Sequence, residues 1–201
     1  VAHSFPTRRS SDLGRTDAGV HARAQGAHID ISSPVDTQAC ERSVNGILPP
    51  AIGIFGLCRV EPEFHARYSA RRRRYRYFMT RCKKPLWRSR AWYLKTDIDW
   101  ERVRRESADI TGEHDFTAFC SSNTSTENMT CTVFDVSLAE CEKEIMVFSI
   151  EANRFVYKMV RSIVGTLVDI GRGACPRSIR EILASKDRSM AGVTAPAHGL
   201  T

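Results

Sequence analysis

Seven apolar side chains, Val156, Met159, Val160, Ile163, Val164, Leu167 and Val168, recur at helical spacing in one short segment. A stripe that wide cannot face water and needs an equally broad apolar surface to lie against. The spacing predicts a helix over 156–170, with Gly171 as its C-cap. The partner surface is legible just upstream. Thr132, Phe134, Val136 and Leu138 alternate, as do Met146, Phe148 and Ile150, with a turn over 140–143 between them. The span 69–80 reads as a long strand, with Tyr75, Tyr77 and Met79 on one face and Arg74, Arg76 and Phe78 on the other. Further strands are expected over 25–31 and 52–60. Helices are expected over 37–44 and 100–110, opened by Asp36 and Asp99, and after Pro176, where Ile179, Ile182 and Leu183 form an apolar face. Strands paired as hairpins with helices on one face define an α+β fold.

Lys and Arg number 30 against 23 Asp and Glu, and setting aside residues 1–13 leaves a net charge of +6. That excess suits a polyanionic partner. The seven cysteines include no Cys-x-x-Cys pair, and no His-Glu-x-x-His stands anywhere in the chain. Scattered reduced thiols and a cytoplasmic location are therefore expected, with no structural zinc. No apolar run is long enough to span a bilayer.

One loop concentrates chemistry. Gly14-Arg15-Thr16-Asp17-Ala18-Gly19-Val20-His21-Ala22 puts a carboxylate between two glycines, beside an arginine and near a histidine. Glycine lets the backbone take positive φ and lets a bulky ligand come close. The same residues could also make an ordinary surface turn closed by an Asx-type Asp.

This loop resembles the catalytic motif of the tRNA pseudouridine synthases of the TruA type. Three further segments match in order. Phe64-His65-Ala66-Arg67-Tyr68-Ser69-Ala70 leads into Arg74-Tyr75-Arg76-Tyr77. Ala152-Asn153-Arg154-Phe155-Val156-Tyr157-Lys158-Met159-Val160-Arg161 leads into Ile163-Val164-Gly165. Thr194-Ala195-Pro196-Ala197-His198-Gly199-Leu200 is the last. One short motif is weak evidence, whereas four in order from Gly14 to Thr201 are specific. The resemblance implies the pseudouridine synthase fold, two α+β halves with joined antiparallel sheets and a central active-site cleft. Residues 14–67 would form the N-terminal half carrying the Asp loop, and 68–201 the C-terminal half. Two departures stand out. The family's opening strand and helix have no counterpart here, and its final strand is not seen after Thr201. In place of the opening segment, residues 4–13 can be written as the translation of a common sequencing adapter, so residues 1–13 are expected to be non-native.

The implied activity isomerises uridine to pseudouridine in tRNA, by a homodimer and with no cofactor. The target uridine sits in the anticodon stem-loop at about positions 38–40, and a stem-held base must be flipped out to react. Asp17 takes the role of the essential carboxylate. Tyr75 is placed to stack on the flipped uracil, and Arg161, a charged residue beside the apolar stripe, is the natural partner of Asp17. Arg15, Arg67, Arg72, Arg74 and Lys158 are the candidate RNA-binding residues, with alternation sending Arg72 and Arg74 to one face and Arg71 and Arg73 to the other. His21 and His65 read as structural, hydrogen-bonded positions. Two other readings stay open: a non-catalytic RNA-binding fragment of the same fold, and a metal-dependent nuclease using Asp17 and His21. The latter needs clustered carboxylates to hold Mg²⁺.

Overall fold

A computed structural model describes residues 11–14, 16–121 and 127–201, and the chain divides into two compact units. The smaller takes in residues up to Gly14 together with Gln25–Ala70, and the larger takes in Arg15–Ala24 and Arg71–Thr201.

In the smaller unit β1 (Ser11–Leu13) pairs antiparallel with β2 (Ala27–Ile29). The helix α1 (Thr37–Ile47) starts at Asp36, whose carboxylate accepts from the Gln38 and Ala39 amides. That satisfies two of the donors a helix start leaves open. The expected strand over 52–60 does not form. Side chains meet its backbone instead. Asn45 both donates to Ile54 O and accepts from Ile54 N, each at 2.8 Å, and Glu41 accepts from Leu57 N at 2.9 Å. Asn45 is thereby used as a clamp, and α1 runs past it to Ile47.

The larger unit is built on a five-stranded sheet of order β4-β3-β7-β6-β5. Its strands are β3 (Arg73–Thr80), β4 (Trp92–Tyr93), β5 (Gly112–Asp115), β6 (Thr130–Glu142) and β7 (Ile145–Ala152). Only β3 and β4 pair in parallel. The β6–β7 turn is tighter than the sequence suggests, with Lys143-Glu144 at its tip and Glu144 at φ 66°. Register jumps between Val133 and Asp135, so Phe134 is an extra residue in β6. A bulge of this kind reverses the inward face of a strand. Cys131 and Val133 point into the core before it and Leu138 after it, while Phe134 is exposed.

The helix α3 (Met159–Gly171) fills the core. Every one of its residues is buried except Arg161. It packs with α2 (Trp100–Ala108), which also contacts α4 (Ile179–Ser185), a helix that a Ser178–Glu181 capping box starts. The helix begins three residues later than its apolar stripe, because Lys158 takes a left-handed conformation, φ 60°. It also runs through Gly171, the residue expected to cap it, and the positive φ falls at Gly173.

The stretch 192–201 ties this frame together. Gly192–Ala195 lies along α3, and a Cβ built on Gly165 would stand 1.7 Å from Val193 O. Further on, Arg76 and Thr201 exchange two backbone hydrogen bonds of 2.8 Å, which extends the sheet along the β3 edge opposite β7.

Two glycine-to-alanine changes are expected to act in opposite directions. Gly165→Ala forces α3 and Val193 apart and should destabilise the protein by about 3 kcal/mol. Gly46→Ala, in α1 with open space around it, should stabilise by up to about 1 kcal/mol. Urea denaturation of the two variants measures both.

Candidate active site

The Asp17 loop closes on itself through Val20 N donating to Asp17 O at 3.2 Å, with Gly19 at φ 81° supplying the turn. The loop is then pinned at two points beyond its own turn. His21 N donates to Leu200 O at 3.0 Å, and His21 Nε2 donates to Ser89 O at 2.7 Å. A carbonyl only accepts, so Nε2 carries the proton and His21 holds the loop rather than acting as a base there.

This places the Asp17 carboxylate against α3. Arg161 Nη1 pairs with Asp17 Oδ2, the two residues standing 144 positions apart in the chain. Arg161 Nε donates to Ala195 O at 2.8 Å, and Ala195 N donates to Arg161 O at 3.0 Å. The guanidinium is therefore held on two sides before any ligand arrives. Both side chains are mostly shielded, 15% exposed for Arg161 and 21% for Asp17. Shielding of this degree strengthens the attraction and makes either charge costly to leave alone. Among the described residues, Asp17 Oδ1 takes no hydrogen bond. The pairing anchors one carboxylate oxygen and so orients the group.

Tyr75 lies on the same side of β3 as Tyr77. Its ring meets Phe155 edge-to-face, 4.9 Å between centroids at 84°. Burial pushes the Tyr75 hydroxyl above its ordinary value. Arg73 opposes that shift and the Asp17 charge adds to it. Tyr75 is thus a neutral phenol able to donate, within electrostatic reach of Asp17. Tyr77 beside it is fully buried and donates to Pro196 O at 2.7 Å, fixing the stretch that carries Ala195. Burial drives its ionisation far upward as well, with Arg161 pulling the other way.

The candidate RNA contacts are more dispersed. Arg72 and Arg74 converge on Glu151, at 3.1 and 2.5 Å, and their hydrogen bonds hold the Glu151 carboxyl below its usual range. Arg72 also stacks over Phe134, the bulge residue, at 4.4 Å. Alternation along β3 sets Arg74 on the face away from Tyr75. The arginine that does reach the Tyr75 side is Arg73, which donates to Asn153 O at 2.7 Å. Lys158 sits over the Tyr157 ring at 4.9 Å, at the left-handed residue that begins α3. Arg67 lies over Tyr68 at 5.3 Å in the smaller unit, and Arg15 falls outside the described residues. Among the described residues no group of three His, Cys, Asp or Glu side chains is placed to hold a metal ion.

Sequence reasoning names Asp17, Arg161 and Tyr75 but gives no role to Ala195, Phe155, Glu151 or Arg73. Ala195 acts through its backbone, which no residue pattern reveals. Phe155 carries a signal, an aromatic side chain just ahead of the apolar stripe and four residues before Met159.

The sequence has known relatives. A family model described as tRNA pseudouridine synthase matches residues 107–201. The tRNA pseudouridine synthase A of Brevibacillus brevis is 41% identical over 191 residues, 94% of this chain and 78% of that protein. The protein of the same name from Halalkalibacterium halodurans is 38% identical over 201 residues, 98% of this chain and 76% of that protein. The one from Exiguobacterium sibiricum is 37% identical over 188 residues, covering 93% and 75%.

The state of Tyr75 can be read directly. The unfolded tyrosine ionises near pH 10.0 and the folded one later, so the protein should hold this phenol neutral as pH rises through that value. Its contribution to stability is present below pH 10.0 and lost above it. A difference titration of phenolate absorbance, wild type minus Tyr75→Phe, should show the Tyr75 signal appearing later than that of free tyrosine.

Proposed function

Since the chain belongs to the tRNA pseudouridine synthase A family, we propose that it isomerises uridine to pseudouridine in tRNA, with Asp17 as the essential carboxylate. The observation that carries this reading is the Asp17–Arg161 pair. The one partly exposed residue of an otherwise buried helix meets the acid of a loop 144 residues away.

The reaction breaks the bond between uracil N1 and ribose C1′ and forms one from C5 to the same C1′. The proton on C5 is lost and N1 gains one, so no electrons, cofactor or second substrate are needed. What the reaction requires is an oriented carboxylate that attacks the base or the sugar C1′, or stabilises charge there. Asp17 meets that description through its Oδ2, anchored on Arg161. Tyr75 stacks against the flipped uracil, and Phe155 supports the ring from its edge. Stacking of this kind contributes roughly 1–3 kcal/mol per base, which offsets part of the cost of flipping. Arg15 contacts phosphate or fills the space the base vacates. Arg67, Arg72, Arg74 and Lys158 supply further phosphate contacts, the target lying in the anticodon stem-loop and the enzyme working as a cytoplasmic homodimer.

Asp17→Asn keeps the shape and removes the carboxylate. Release of tritium from tRNA labelled at uridine C5 should fall on the order of 10⁴-fold, while tRNA binding stays within a few-fold. A rate within tenfold of wild type removes Asp17 from the chemistry. Release that stops on adding EDTA would support a metal-dependent reaction instead, and tight tRNA binding with no release at all would mark a binding fragment.

Binding to tRNA should weaken steeply with salt, because phosphate contacts release counterions. Arg72→Ala and Arg74→Ala should each lower the slope of log K against log salt by up to about 1. Arg102→Ala, on α2, should leave the slope unchanged. Equal slopes for all three remove Arg72 and Arg74 from the RNA surface.

A further inference from the structure

The grip on Arg161 extends two turns down its own helix. Arg161, Gly165 and Asp169 are spaced i, i+4, i+8, so they line one side of α3 over about 12 Å. The segment Gly192–Ala195 runs antiparallel along that side. Val193 N donates to Asp169 Oδ2 at 3.2 Å, Gly192 N donates to Thr166 Oγ1 at 2.8 Å, and Gly165 lets Val193 O approach between them. At the far end Ala195 O receives Arg161 Nε. Arg188 holds the outer side through Gly192 O and Thr194 Oγ1, both at 3.1 Å.

Asp169 is an unusual residue for its place. It is buried, 7% exposed, in the last turn of α3, where the carbonyl end of a helix disfavours negative charge. Its second oxygen, Oδ1, lies 2.6 Å from Arg172 Nη2 as a charge contact without aligned hydrogen-bond geometry. The acid is thus kept where neither helix electrostatics nor burial favours it, and among the described residues its one aligned side-chain hydrogen bond is to Val193.

We infer that Asp169, together with Thr166, is a positioning residue for the reaction: it sets the register of Gly192–Ala195 along α3, so that Ala195 O aims the Arg161 guanidinium at Asp17. This rests on the function proposed above for Asp17, but the geometry it describes can be measured without turnover.

The experiment compares Asp169→Ala, Asp169→Asn and Thr166→Val by tritium release, thermal unfolding and NMR exchange of the Arg161 Nε proton, assigned by its loss in Arg161→Met. Asp169→Ala should lower kcat on the order of 10- to 100-fold well below its melting temperature, with KM within about twofold, since a misplacement of about 1 Å can cost 10²-fold. The Arg161 Nε proton should change from slow to fast exchange. Asn keeps an acceptor for Val193 N and should restore both readouts. Thr166→Val, isosteric but lacking the hydroxyl that accepts from Gly192 N and donates to Ser162 O within α3, should shift them in the same direction and decides the matter if Asp169→Ala does not fold. In an Arg161→Met background Asp169→Ala should cost no further rate, because nothing is left to aim.

The inference is overturned if the folded variants lose melting temperature alone, with kcat and Nε exchange as in wild type, or if Asp169→Ala costs as much rate without Arg161 as with it. Should wild type release no tritium, the proposed function fails and the Nε exchange still decides this inference.

Discussion

A charge pair shielded from water is stable only where a third group fixes its geometry, and here that group is a backbone carbonyl. Ala195 O takes one edge of the Arg161 guanidinium and leaves another for Asp17. Without that carbonyl the arginine would have rotamer freedom to lose and a desolvation penalty with weaker compensation. Much of the local architecture serves this contact. Tyr77, buried within β3, holds Pro196 through its hydroxyl. Leu200 receives the loop that carries Asp17, and α3 supplies the arginine itself. The acid reaches its position because sheet, helix and the stretch 192–201 each contribute one fixed edge.

The helix α3 was legible because its apolar side chains repeat at a period no strand or loop shares. Its limits were less so. Lys158 ends the upstream segment with a left-handed residue that carries no mark in the sequence, and Gly171, which reads as a cap, is helical. The β6–β7 hairpin shows the complementary case. Alternation located both strands, yet the extra residue at Phe134 turns the β6 pattern over midway. A bulge is a matter of register between two strands, and register is not written in either strand alone. The segment 52–60 reads as a strand because its apolar residues suit one, but Asn45 and Glu41 satisfy its backbone first.

The same division holds at the site. Asp17, Tyr75 and Arg161 could be named from motif and charge, since each is chemically conspicuous. Their supports could not. Ala195 contributes a carbonyl, Gly165 the absence of a side chain, and Asp169 a carboxylate eight residues from the arginine it bears on. The four consecutive arginines illustrate the limit well. Strand alternation separates Arg73 from Arg72 and Arg74, but only the strand's packing tells which face carries Tyr75.

The distance in sequence between Asp17 and the residues that fix it has a consequence for how the protein is made. A ribosome releases the Asp17 loop long before it has synthesised Arg161, Ala195 or Leu200. Throughout that interval the outer edge of β3 at Arg76 and Tyr77 also waits for its partner, and unpaired edges are where nascent chains stick to one another. Closure of that edge and assembly of the acid–arginine pair depend on the same ten or so residues. Protection of that edge and assembly of the acid–arginine pair therefore arrive together, once this stretch has been made, and a nascent chain that lacks one lacks both.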